Sequence, residues 1–152
     1  MDLLEVWLTR LSRLNTVALE ASVAELGITA SESAVLAALV RTGEVLSPTR
    51  LQGLVMQSPG GLTKTLRRLE SAGLATRRTD PGDRRALLVE ITAKGRKRSE
   101  RAEAAVSEHY RAVLDGVDRA EATAVVRRLL DGLETSTGMP SSQSIGVSTP
   151  TS

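Results

Sequence analysis

Between Ser58 and Gly95 a short basic helix signal runs directly into two strand-length segments joined by a turn, a combination that leaves few folds open. Ser58-Pro59 marks a helix start, because a serine oxygen caps free backbone amides and proline fits the first helical turn. Leu62, Leu66 and Leu69 then recur at helical spacing, and Gly73 supplies the stop. Gly60, Lys64, Arg67 and Arg68 project from the opposite side at about 100° per residue. The segments Leu74 to Thr79 and Ala86 to Ile91 are rich in threonine and aliphatic residues. Asp80-Pro81-Gly82-Asp83-Arg84-Arg85 separates them, so the two read as a hairpin with arginines at its tip.

The flanking sequence completes the picture. Leu4, Trp7, Leu8, Leu11, Leu14, Ala18 and Ala21 are spaced by threes and fours, which predicts a first helix ending near Gly27. Thr29 and Glu32 form a capping-box pair ahead of a second helix that stops before Gly43. Ser47-Pro48 opens a third, and the fourth follows it so closely that the two must cross at a large angle, as in a helix-turn-helix. Thr92 caps a fifth helix carrying Ala102, Val106, His109 and Val113 on one side. Asp118 and Glu121 open a sixth with Val125, Val126, Leu129 and Leu133. The expected fold is mainly α with a small β-hairpin wing, a winged helix-turn-helix.

Charge is concentrated where that motif lies. Residues 50–101 hold 13 Lys or Arg and 5 Asp or Glu, a net +8, whereas residues 1–49 and 102–152 each carry −3, leaving only +2 for the whole chain. A local positive field recruits a polyanion, since each neutralised phosphate releases condensed counterions. Double-stranded DNA is therefore the expected partner, with Gly60, Lys64, Arg67 and Arg68 on the helix and Arg84 and Arg85 on the wing as its contacts. The alternative is a winged-helix module that binds another protein without specific DNA recognition.

Other chemistry is poorly provided for. The chain has no cysteine and one histidine, so disulfides, thiolate zinc sites and cysteine nucleophiles are excluded. His109 has no serine or carboxylate motif around it, and Lys64-Thr65 lacks the glycine that a phosphate-binding loop places before its lysine. No enzyme activity, cofactor or metal is expected. The opening Met1-Asp2-Leu3-Leu4-Glu5 is acidic rather than signal-like, and no apolar run reaches membrane-spanning length, so a cytoplasmic protein is expected. Residues 136–152 are dominated by Ser, Thr, Pro and Gly and are expected to form a disordered tail.

Three segments resemble the MarR family of bacterial transcriptional regulators: Leu69-Glu70-Ser71-Ala72-Gly73-Leu74, Asp83-Arg84-Arg85 within its turn, and Ile91-Thr92-Ala93-Lys94-Gly95. They match that family's Leu-Glu-x-x-Gly-Leu, Asp-x-Arg and Leu-Thr-x-x-Gly pattern in kind and spacing, and the likeness spans roughly residues 3–134. The resemblance implies a homodimer whose winged lobes (31–92) read a palindromic operator while helices within 1–27 and 93–135 form a dimerisation platform. It implies that Ser58, Gly61, Thr63 and Lys64 face the major groove, that Arg85 enters the minor groove and that Arg84 lies near phosphate. It further implies a small-molecule effector, most often relieving repression, in a pocket where helices one, two and five meet, near Trp7, Leu11 and His109. Gly61 and Arg67 depart from the family, which often has a base-contacting side chain at the first position and an acid at the second.

Some residues keep two readings. Two adjacent glycines in a first turn cost on the order of 1 kcal/mol each relative to alanine, which suits either close approach to DNA or tight packing against another helix. His109 and Trp7 are either packed side chains or pocket residues. Asp83 repels phosphate, so its expected task is to orient Arg85 or Arg77 through a charge-assisted bond.

Overall fold

The computed structural model describes residues 2–43, 45–83 and 86–138. Among the described residues six helices and one hairpin follow the order α1 (Leu3–Ala24), α2 (Ala30–Thr42), α3 (Pro48–Val55), α4 (Pro59–Ser71), β1 (Ala75–Thr79), β2 (Leu87–Ile91), α5 (Ala93–Val113) and α6 (Arg119–Thr137). The chain divides into two compact units, residues 1–110 and 111–152.

Local chemistry starts each helix of the first unit. Thr29 and Glu32 form the reciprocal capping box of α2, Ser47 accepts the Arg50 amide at the start of α3, and Ser58 accepts the Gly61 amide at the start of α4. Pro48 and Pro59 occupy the first turns, where no intrahelical amide is lost. The α3–α4 turn is closed by Met56 at φ 51°, a left-handed conformation unusual for a residue with a side chain. Strands β1 and β2 pair antiparallel with Ala75 opposite Ile91 and Thr79 opposite Leu87. Leu46 adds an isolated bridge to Val89, exchanging two backbone bonds of 3.0 and 2.8 Å.

These elements enclose one apolar core. Val35, Leu36 and Leu39 of α2, Leu51 of α3, Leu62, Leu66 and Leu69 of α4, and Val89 and Ile91 of β2 meet with Val23, Ile28, Leu46, Leu74 and Ala102. Burial of that stripe turns the other side of α4 outward: Gly60, Gly61, Thr63, Lys64, Arg67 and Arg68 are all exposed. Most of α1 is uncovered in the single chain, with Leu4, Trp7, Leu11 and Leu14 each more than half exposed.

In the second unit, Asp118 caps α6 by accepting the Ala120 and Glu121 amides. The helix runs through Thr137, two residues past the expected start of the tail. Thr135 and Thr137 return their hydroxyls to the Asp131 and Leu133 carbonyls, and Gly138 closes the helix in the left-handed region. The remaining expected tail lies outside the described residues. No residue of α6 is buried.

Candidate nucleic-acid interface

The exposed side of α4 is built by the requirement to bury its leucines. Lys64 and Arg67 stand on it beside Thr63, whose hydroxyl donates back to the Pro59 carbonyl at 2.9 Å. At the amino end Ser58 accepts the Gly61 amide at 3.1 Å, so one of the helix's free donors is already used. A Cβ on Gly60 would meet open space, and one on Gly61 would crowd the Ser58 hydroxyl at 3.0 Å. Among the described residues no neighbouring helix comes within 4 Å of a Cβ placed on either glycine.

Arg68 stands differently. Its Nε lies 2.6 Å from Glu32 Oε1, a carboxylate only 5% exposed on α2, while the arginine side chain itself remains 55% exposed. This partner was not legible in the sequence, where Glu32 reads only as the capping residue of its own helix. At the base of the wing, Arg77 Nε sits 2.9 Å from Glu70 Oε1, tying β1 to the last turn of α4. The N–H does not point along that contact, so it is an ion pair rather than a directed hydrogen bond. Arg78 and Glu90 form a looser pair across the strands at 3.3 Å. Gly82 donates to Asp80 Oδ1 at 2.8 Å, shaping the turn before Asp83. The expectations for Arg84 and Arg85 lie outside the described residues.

Trp7 and Leu11 are more than half exposed, and His109 is half-buried with its ring edge-to-face on Tyr110 at 5.6 Å. Tyr110 in turn donates its hydroxyl to Asn15 Oδ1, linking α5 to α1. A groove of about 400 Å³ lies elsewhere, along Ile28, Glu32, Arg67, Arg68, Leu69 and Leu74. Among the described residues no group of three or more acidic or histidine side chains is placed to hold a metal ion, and no helix is long and apolar enough to cross a membrane.

A basic helix presented beside a two-stranded wing, on an apolar core shared with α2 and α3, is the arrangement of a winged helix-turn-helix fold. Residues 26–86 match the model of the MarR family. A MarR mutant from E. coli complexed with operator DNA is 25% identical, covers 88% of this chain and 99% of its own, and superposes with a TM-score of 0.75. The chain is thus similar to the MarR family of transcriptional regulators, over that segment in sequence and more widely in fold. Two further solved structures share the fold. BpsR of Bordetella bronchiseptica, whose DNA binding is regulated by 6-hydroxynicotinic acid, is 23% identical, with 84% of this chain and 91% of that one covered and a TM-score of 0.75. CouR of Rhodococcus jostii, bound to p-coumaroyl-CoA, is 24% identical, with 92% and 94% covered and a TM-score of 0.76. Comparison with curated protein sequences gave no match.

Proposed function

We propose that the chain acts as a homodimer on a palindromic operator, inserting α4 into the major groove and the wing into the minor groove, and represses transcription until a small organic acid or its thioester releases it. One observation carries the DNA-facing part. Thr63, Lys64 and Arg67 stand together on the exposed side of a helix whose other side is sealed by Leu62, Leu66 and Leu69. Cations on such a helix suit phosphate and base edges, and a guanidinium at the wing suits a narrow minor groove.

Dimerisation is supported by uncovered apolar side chains in each unit. Leu4, Trp7, Leu11 and Leu14 of α1 are exposed, as are Val125, Val126, Leu130 and Leu133 of α6. Apolar surface of that extent is a mark of an interface. The effector class is taken from the ligands named for BpsR and CouR.

The test is selection of a site from a random double-stranded oligonucleotide pool by the purified protein, followed by titration of the selected duplex with and without 6-hydroxynicotinic acid and p-coumaroyl-CoA. A two-fold symmetric consensus, released by one of these compounds, is expected. An asymmetric half-site bound one chain per duplex would refute the dimeric reading, and an affinity indifferent to both compounds would refute the proposed effector class.

A further inference from the structure

Helix α4 is strapped at two points to one place, the first turn of α2. Arg68 reaches Glu32 Oε1 at 2.6 Å, while the second oxygen of the same buried carboxylate accepts the Thr29 amide at 2.8 Å. Roughly one turn earlier in α4, the Thr65 hydroxyl lies 3.0 Å from both Gln57 Oε1 and the Gly61 carbonyl, sharing its proton between them. The Gln57 amide then donates to the Ser31 carbonyl at 3.3 Å. Both straps therefore end on the adjacent residues Ser31 and Glu32. The chain leading into that turn is held as well: the Ala30 amide donates to Glu20 Oε2 of α1 at 2.9 Å, and Arg98 of α5 donates to the Leu26 carbonyl in the connection before α2.

We propose that Glu32 and Gln57 are positioning residues for DNA recognition, that the first turn of α2 is the seat fixing α4 in its register, and that Arg68 acts through this seat rather than as one more phosphate ligand. The proposal rests on α4 being the helix that enters DNA. Apolar burial of Leu62, Leu66 and Leu69 holds α4 on the core but is non-directional, so it tolerates small sliding and rotation. Charge-assisted and paired amide bonds fix both. A carboxylate as buried as Glu32 also demands its cation, because leaving it unpaired is costly. The sign of the effect is diagnostic. Glu32 is a negative charge beside a helix meant for a polyanion, so on electrostatics alone its removal would strengthen DNA binding.

The experiment measures affinity of the full chain and its variants for a duplex selected by the wild type from a random pool, and for calf-thymus DNA as the unselected reference. Glu32→Ala, Arg68→Ala and Gln57→Ala are each expected to weaken binding to the selected duplex about tenfold, with little change on calf-thymus DNA and an unchanged salt slope. The Glu32→Ala/Arg68→Ala double variant is expected to lose no more than either single variant. Thermal melts accompany each variant, and Gln57→Ala, which strands no charge, carries the test if the Glu32 variant melts below the assay temperature. Tighter or unchanged binding by Glu32→Ala, or a salt slope reduced by about one in Arg68→Ala, would overturn the seat. If Lys64→Ala weakens binding while Glu32→Ala and Gln57→Ala do not, the interface stands and the seat falls. A wild type that selects no sequence overturns the DNA-facing reading and the seat with it.

Discussion

A Cβ added to Gly95 would clash with the carbonyl oxygen of Leu74, so the first turn of α5 rides directly on the turn that leaves α4. Its neighbours close that end of α4. Thr92 accepts the Gly95 amide at 3.0 Å and turns its hydroxyl toward the Gly73 and Leu74 carbonyls at 2.8 and 3.1 Å. Lys94 donates to the Ala72 carbonyl at 2.7 Å. The Thr-Ala-Lys-Gly segment is thus the clasp that joins wing, α4 and α5.

Gly95→Ala is expected to destabilise the protein by about 2–4 kcal/mol, because the clash is with backbone that has no rotamer to yield. Gly60→Ala, at a position facing open space, is the control and should cost nothing. Urea unfolding of the two variants compares them. Equal midpoints would show that α5 can shift away without penalty.

Binding to DNA should be strongly salt-dependent. If a dimer neutralises about eight phosphates, the plot of log affinity against log salt falls with a slope near −7. A slope close to zero between low and physiological salt would be incompatible with the basic α4 surface as the contact.

Lys64 and Arg85 should fail differently. Arg85→Ala is expected to weaken binding by about 1–3 kcal/mol, most at operators with A·T-rich flanks, since minor-groove potential follows groove width. Lys64→Ala should act at the major-groove half-sites, relaxing specificity there if it reads a base and weakening all sequences alike if it touches phosphate. An operator panel separates these outcomes. Normal binding of every operator by folded Arg85→Ala would remove the wing from the interface.

Leu11→Asp is expected to shift the protein toward monomer while leaving the winged lobe folded, because Leu11 is 61% exposed in the single chain and takes no part in the lobe's core. Sedimentation at micromolar concentration gives the oligomer and circular dichroism the fold. A variant that stays dimeric places the dimer contact elsewhere.

Peroxide should not release DNA through a thiol switch, because the chain has no cysteine. Met56, exposed in the α3–α4 turn, offers a slower thioether oxidation instead. Rapid release reversed by a thiol reductant would contradict this.

Much of the architecture was readable in one dimension because its causes are local. Ser47-Pro48 and Ser58-Pro59 cap helices through atoms three residues away, the leucines of α4 repeat with the helical period, and Pro81-Gly82 turns the chain between two strand-length runs. The exposed basic side of α4 followed from the same period. Even the motif ending in Gly95 was visible as a pattern, although its reason, a carbonyl oxygen where a methyl would go, was not.

Only the tertiary structure decided which charges are tied down. Arg67 and Arg68 are adjacent and equally basic in sequence, yet the packing of α4 on α2 brings Arg68 against Glu32, 36 positions away, and leaves Arg67 on the exposed side. Arg77 meets Glu70 through the crossing of β1 over the end of α4, and Arg98 meets Leu26 across 72 positions. A charge's partner depends on where two separately formed elements dock, and docking is set by shape and burial summed over the whole core, for which no spacing along the chain is a proxy.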